Sequence, residues 1–466
     1  MLRLGLFQMG LGIMSVLTLG ILNRVMINEL AIPATVAAGA IAMHQFVSPA
    51  RLWFGQLSDH RSIKGYHRTG YIWIGSVLFV LAAFLAVQVM WQFGTSLQNS
   101  GWSSPTYAWT GLMGLIFALY GIALSASSTP YAALLVDISN EQERSKLVGV
   151  AWSLLMVGIV IGAVLSARLL PQPLNGTCQN LGVADLALLK TAVNRLFILM
   201  PGLVLGLGLF ATAGIEKKYS RFRRRTAPGS VETANPVVRE DQITLGRAFR
   251  VLTASRQTGL FFAFLLLMTL SLFMQDAVME SYGGKVFGMC VSETTRLNAF
   301  WGTGTLIGIS TAGFLIVPRL GKQKTARLGC WLVAFTMLFV IGSGFTGNPL
   351  FLQLGLLVFG LASGITTTGA ISLMLDLTAV QTAGTFIGAW GLAQAMARAF
   401  STVMGGAILD LGRSLFDNLV LAYALVFTVQ AVGMLTAVWL LNRVNVKEFQ
   451  TDAQAAMGQV FSEEIS

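Results

Sequence analysis

Twelve apolar stretches constrain this chain more than any other feature. They fall at about 4–22, 34–57, 70–93, 108–136, 147–167, 196–215, 259–280, 298–317, 328–346, 349–375, 384–409 and 418–441. Most are near the roughly 20 residues that a helix needs to cross a bilayer core. Backbone N–H and C=O groups cannot stay unpaired in lipid, so stretches of this kind are expected to be helical. The sequence therefore predicts an all-α membrane protein with twelve transmembrane helices. Composition agrees, because only 11% of residues are charged, against about 25% in ordinary soluble domains. The first stretch follows Met1, Leu2 and Arg3 and runs into "NRVMINEL". It meets no small-x-small cleavage site, so it is read as a retained span and not a signal peptide.

The net charge of +11 would suit a nucleic-acid binder, but the placement of the charges argues otherwise. Twenty-two Lys and Arg lie in the N-terminus, the even-numbered loops and the C-tail, and seven in the odd-numbered loops. The positive-inside rule then places both termini in the cytoplasm. The basic excess is a topology signal, with a minor role at anionic lipid headgroups. Cys178 and Cys290 fall in outward loops, where a disulfide is topologically allowed, and Cys330 lies inside span 9. No cysteine spacing fits a metal site.

The stretch "EKKYSRFRRRTAPGSVETANPVVREDQITLGRAFRVLTASRQ" divides the spans into six plus six. It predicts an N-terminal half at 1–215, a basic cytoplasmic linker at 216–258, a second half at 259–441 and a cytoplasmic tail at 442–466. Within the linker, 244–256 reads either as an amphipathic surface helix or as solvated chain. The halves are related by an internal repeat. At a constant offset of 239, Gly121 aligns with Gly360, Thr129 with Thr368, Leu134 with Leu373, Asp137 with Asp376 and Gly149 with Gly388. Repeats of this kind typify transporter folds. Gly158/Gly162, Gly304/Gly308 and Gly384/Gly388 supply small-xxx-small faces for helix contact.

The loop after span 2, "GQLSDHRSIKGYHR", resembles the signature loop of the major facilitator superfamily, with Gly55, Asp59, Arg61 and Arg68 in its pattern. "DISNEQERSK" after span 4 resembles that superfamily's acid-plus-Glu-Arg loop, through Asp137, Glu143 and Arg144. The resemblance implies a facilitator fold of two six-helix halves. It also implies that these residues form a conformational gate, with Asp59 holding neighbouring helix ends in one state.

Charges at the bilayer centre cost about 2.5–3.5 kcal/mol on insertion scales, so each invites a functional reading. The candidates are His44 and Arg51 on span 2, Asp276 and Glu280 on span 7, and Gln394 and Arg398 on span 11; Arg24 and Glu29 lie just beyond span 1. Asp276 and Glu280 are expected one turn apart on a single face. Either acid, or a ligand carboxylate, would serve as counter-charge to Arg398. Arg51 either snorkels to the cytoplasmic edge or faces a ligand. His44 has three readings: a neutral hydrogen-bonded core residue, a proton relay, or an axial ligand through one imidazole nitrogen. A single nitrogen in an apolar wall suits a metal-centred macrocycle, and not zinc, which takes three or four protein ligands.

Two further blocks are more specific. "RLGLFQMGLGIMSVLTLGILNRVMINELAIPA" leads into "H…R.WFGQLSD", and "MQDAVMESYGGKVFGMCVSETTRLNAFWGTGTLIG" has "GAWGLAQAMA" downstream. Both resemble the PucC/LhaA family, the bacteriochlorophyll-delivery branch of the major facilitators, over essentially the whole chain. The resemblance implies a non-enzymatic assembly factor of photosynthetic membranes, thylakoid or intracytoplasmic. It would bind or deliver chlorophyll or bacteriochlorophyll to nascent pigment proteins, with light-harvesting or photosystem subunits as partners. Motif positions carried over are Asn23, Arg24, Glu29, His44, Arg51, Gln275, Asp276 and Glu280. His44 is the expected axial ligand to pigment magnesium. The family often has Glu-Pro before Tyr-Gly-Gly, where this chain has Glu280-Ser281, so a break in span 7 is left open. The alternative function is a proton-coupled secondary transporter of a small amphipathic solute. An enzyme is not expected: His60 and His67 share a loop, and no nucleophile–base set or phosphate-cradling loop is present.

Overall fold

The computed structural model describes residues 2–139, 141–171, 183–219, 256–377 and 383–445. Cys178, most of the linker with "RFRRR" and 244–255, and the tail from 446 lie outside the described residues, as do the side chains of Glu143, Arg144, Asp376, Gly384 and Gly388.

Every span is helical, and eleven helices among the described residues are long and apolar enough to cross a membrane. The twelfth crossing is span 2, which differs from the sequence expectation because it is broken. Its pieces are Ala34–Phe46 and Ala50–His60. Pro49 lacks an N–H and disfavours helix at the residue before it. The chain turns there through short-range bonds from Ser48 N to the Gln45 carbonyl and from Ala50 N to the Val47 carbonyl. Span 1 also differs: it continues to Glu29 through wider π-helical turns at Val16–Leu22 and Val25–Glu29. Asn23, Arg24 and Glu29 are therefore on the helix and not beyond it. Span 7 is interrupted too, running Arg256–Phe273, then a 3₁₀ turn at Met274–Ala277, then Met279–Phe287.

In the first half, span 1 packs on spans 5 and 6, and span 4 on spans 2 and 3. In the second half, span 7 packs on spans 11 and 12, and span 10 on spans 8 and 9. Spans 5 with 8, and 2 with 11, join the halves. The repeat glycines explain part of this symmetry. A Cβ at Gly121 would collide with the His44 backbone of span 2, and one at Gly360 with the Trp301 carbonyl of span 8. Each glycine lets span 4 or span 10 lie directly against its neighbour's backbone, the contact that drives helix association where lipid is as apolar as leucine. Gly121→Val and Gly360→Val are each expected to destabilise by about 1–3 kcal/mol. Thermal unfolding in detergent checks this: an unchanged midpoint in both variants would contradict the close approach.

Candidate functional site

The polar residues inside the bundle sort into two groups. The first seals one end, where spans 1, 7, 11 and 12 meet. Arg24 is almost fully buried and donates from Nη1 to the Glu280 carbonyl at 3.2 Å and from Nη2 to the Met289 carbonyl at 3.0 Å. Nη2 also pairs with Glu29 at 3.2 Å. The Asn28 amide oxygen accepts from Arg24 Nη1 at 2.9 Å and Nε at 3.1 Å, and its nitrogen donates to Ser281 Oγ at 2.5 Å. This amide orientation is assigned because it satisfies both of its atoms. Asn23 donates to the Ala277 carbonyl at 2.6 Å, and Lys285 to the Asn28 carbonyl at 3.0 Å. Ser281 and Tyr423 hydroxyls lie 2.6 Å apart, and Arg413 donates to Tyr423 Oη at 3.0 Å. Asp410 accepts from the Ala34 and Thr35 amides at 3.0 and 2.7 Å, capping span 2 from the opposite half. Glu280 accepts from Asn298, while its second oxygen is buried without a partner among the described residues.

The second group is carried by span 11 and by spans 2 and 7, both of which pack on it. Span 1 is buried on most sides, yet Gln8, Leu11, Ser15 and Leu19 remain partly exposed along one helical face. Spaced three and four apart, these residues share one side of the helix. In the second piece of span 2, Ala50–His60, only Ser58 is fully buried. His44 ends the first piece. Its Nδ1 lies 2.5 Å from the Ile41 carbonyl; a carbonyl only accepts, so Nδ1 carries the proton. In the neutral ring this leaves Nε2 with its lone pair. The His44 ring meets Tyr120 edge-on, with centroids 6.1 Å apart. Arg51 opens the second piece, where it is exposed. On span 11, the Arg398 guanidinium stacks over Phe273 at 3.6 Å from the ring centre, and its Nε is buried without a hydrogen-bond partner among the described residues. Gln394 sits one turn away, partly exposed. Asp276 accepts from Gln275 and lies within electrostatic reach of Arg398, as His44 and Arg398 both do of Arg51.

The structure thus separates residues that the sequence places together. Asn23, Arg24, Glu29 and Glu280 belong to the closure, and His44, Arg51, Asp276 and Arg398 to the second group. The 3₁₀ turn and Val278 come between Asp276 and Glu280, so the two acids have different neighbours: Arg398 acts on Asp276, and Arg24 with Asn298 on Glu280. The signature loop forms a third cluster. Its central cation is Arg68, fully buried, pairing with Asp59 and with Asp137 at 2.9 Å and donating to Ser58 Oγ at 2.6 Å. Arg61 is exposed, and its carbonyl accepts from Tyr71 Oη at 3.1 Å. Gly55 faces Thr129 of span 4. Glu216, which the sequence reading passed over, accepts from the His67 and Thr69 amides at 2.6 Å each and caps span 3. These described contacts tie spans 2, 3 and 4 to the start of the linker, all within the first half.

Asp410, Arg413 and Tyr423 were also missed. The pair in "ILDLGR" near the end of span 11 was the available signal, but the Ala34 amide that donates to Asp410 lies 376 residues away in sequence. Among the described residues no group of three His, Cys, Asp or Glu side chains is placed to hold a metal ion. Cys290 is disulfide-bonded and Cys330 is free and buried.

An architecture of two six-span halves with matching helix contacts defines a class. The chain superposes on the nucleoside transporter NupG with a TM-score of 0.67, at 12% identity, covering 95% of this chain and 99% of that one. It also matches a bacterial homologue of the iron transporter ferroportin in an inward-facing state, with a TM-score of 0.61 at 14% identity over 95% and 99% of the two chains. The fold is that of the major facilitators, and the protein is a multi-pass integral membrane protein. Within that class, the family model described as PUCC protein matches residues 21–449, and the chain belongs to the PucC family. It is 30% identical to a Rhodobacter capsulatus protein described as uncharacterized and lying in the puhA-bchM intergenic region, over 88% of this chain and 80% of that one. Protein PucC of the same organism is 28% identical over 94% and 90%. A Rhodobacter capsulatus protein named bacteriochlorophyll synthase 44.5 kDa chain is 28% identical over 95% and 94%.

Removing one partner of a buried pair costs about 3–5 kcal/mol because the other charge is stranded. Arg24→Ala is therefore expected to open the sealed end. A cysteine introduced at Ser281 should resist a membrane-impermeant maleimide in the parent and react in the Arg24→Ala background. Equal labelling in both would show that Arg24 does not hold the closure.

Proposed function

We propose that this protein is an assembly factor of photosynthetic membranes, which holds a chlorophyll-type pigment in the central crevice and passes it to nascent pigment-binding subunits. The observation that carries the reading is the His44 hydrogen bond. A histidine that ligates a metal almost always gives its other ring N–H to a carbonyl or carboxylate, and the Ile41 carbonyl supplies that partner. Nε2 is then the basic atom offered to the crevice, suited to the one open axial position of a macrocycle-bound magnesium. Tyr120 supports the ring from the side. Family membership and the name of the bacteriochlorophyll synthase relative support the same class of cargo. In this reading the sealed end faces outward, both termini are cytoplasmic by the positive-inside rule, and the crevice opens toward the side where pigment and client subunits meet.

The transporter-like fold favours a second reading, a secondary transporter coupled through Asp276 and Arg398. Alternating access would then require the sealed end to open. Thr35 and Asp410 touch across the halves, with Oγ1 and Oδ2 2.7 Å apart, so a cross-linked cysteine pair at these positions should lock it. Transport would stop, whereas pigment holding would survive.

Purification in mild detergent from the native host, with His44→Leu alongside, tests the first reading. Magnesium tetrapyrrole is expected to co-purify with the parent and to fall at least tenfold in the variant, with helical content unchanged by circular dichroism. Equal pigment in both would remove His44 as the ligand.

A further inference from the structure

Where spans 7, 9 and 12 meet, at the end opposite the seal, the chain carries bases without acids. Span 7 begins at Arg256, span 9 at Lys322, and the helix of span 12 ends at Asn442. No Asp or Glu occurs in 256–275, 318–346 or 419–445, whereas Arg319, Lys322, Lys324 and Arg327 lead into span 9 and Arg443 follows span 12. Hydrogen bonds fix these ends together. Gln323 Nε2 donates to the Leu441 and Val444 carbonyls at 3.1 and 3.3 Å, and Arg327 Nη1 donates to Asn442 Oδ1 at 3.2 Å. Gln257 is buried, and its Oε1 accepts from the Asn445 amide at 3.1 Å, which ties the start of span 7 to the same place. Between spans 7 and 12 lies a cavity of about 370 Å³, lined by Arg256, Gln257, Leu260 and Arg443. Its size falls within the roughly 300–1,000 Å³ of small-molecule sites.

Both arginines of this cavity are exposed, and neither pairs with an acid among the described residues. Arg443 is nevertheless held in place, because its guanidinium lies over the Trp439 ring at 3.7 Å from the ring centre. Stacking uses the flat face of a guanidinium and leaves its N–H edge for an anion. Trp439, one turn back along span 12, is half exposed, as are the aromatic residues that mark a membrane–water boundary. We infer that this cavity binds the phosphate of an anionic phospholipid. Basic pockets between membrane helices on the cytoplasmic side hold such headgroups, and the positive-inside rule makes this end cytoplasmic. A phosphodiester presents two oxygens to paired N–H donors. A zwitterionic headgroup adds an ammonium that Arg256 and Arg443 repel, and free phosphate has no acyl chain to lie against Leu260 and Trp439. A lipid gripped by both arginines bridges spans 7 and 12 at the end that the seal does not reach. The site is separate from the one proposed for pigment and does not depend on that reading.

The test places the full-length protein in phosphatidylcholine nanodiscs at physiological salt, with a minor fraction of the lipid replaced by acyl-brominated phosphatidylglycerol or, in a parallel sample, by acyl-brominated phosphatidylcholine. Bromine quenches the tryptophans it touches. Of the ten tryptophans, the share due to Trp439 is the difference between the parent and Trp439→Phe. That share is expected to report phosphatidylglycerol enriched at least about tenfold over the surrounding bilayer, the size that two basic groups at a membrane surface supply. Brominated phosphatidylcholine should show no enrichment. Arg256→Gln, which leaves the Arg443–Trp439 stack in place, should lower the enrichment severalfold, and the double variant Arg256→Gln with Arg443→Gln should abolish it. Arg319→Gln with Lys324→Gln removes the same charge outside the cavity and should leave the enrichment unchanged. Equal quenching by the two lipids in the parent, or an equal loss from the outside pair, would overturn the site in favour of a diffuse basic surface. Release of the lipid by millimolar inorganic phosphate at constant ionic strength would assign the arginines to a free anion and overturn the lipid as occupant.

Discussion

Everything inside this bundle is arranged around a guanidinium buried where water cannot reach it. Arg24 is tolerable there only because its donors are answered by two backbone carbonyls, an amide oxygen and Glu29. Those acceptors come from both halves of the chain, so satisfying the charge and closing the bundle are one event. Buried ion pairs are weak sources of net stability but strong sources of definition, and here the definition concerns which end of the protein is shut.

Helix interruptions convert that closure into a site. Pro49 stops span 2 just beyond His44, so the imidazole stands in the last turn of one helix and Arg51 in the first turn of the next. The 3₁₀ turn of span 7 separates Asp276 from Glu280 and directs the two carboxylates to different cations. Irregular backbone at membrane depth is tolerated only where protein or a cavity covers it, and both breaks adjoin the candidate site residues His44, Arg51 and Asp276. The separate Arg68 cluster, with Asp59 and Asp137, performs the corresponding task for the ends of spans 2, 3 and 4.

Much of the fold was legible from periodicity and repetition. The apolar windows locate the crossings, and the offset of 239 that pairs Gly121 with Gly360 reappears as two matching helix contacts. The breaks were less legible, because a window average passes through Pro49 when the residues on either side are apolar. Span 1 was cut short at Leu22 for the opposite reason. Asn23, Arg24 and Asn28 look like loop residues until their partners, some 250 positions away, are in place. Of the site, the individual residues were visible but not their grouping. Spacing along a helix places Asp276 with Glu280, whereas in the three-dimensional structure Arg398 acts on one and Arg24 with Asn298 on the other. Glu216 offered no local pattern, and the local pair of Asp410 with Arg413 did not disclose its role, since each acid acts by accepting from backbone amides of a distant helix start.

The use of main-chain groups at the seal has a consequence for how such a protein can change. Arg24 grips the carbonyls of Glu280 and Met289, Asn23 that of Ala277, and Lys285 that of Asn28. A carbonyl is present whatever side chain its residue bears. Substitutions at the carbonyl-bearing positions Ala277 and Met289 can therefore change the side chain without removing the acceptor, provided the backbone keeps its path. Gly284 is the opposite case: a Cβ there would run into the Arg24 guanidinium, so the latch that tolerates change in side chains beside it depends on the absence of one at that point.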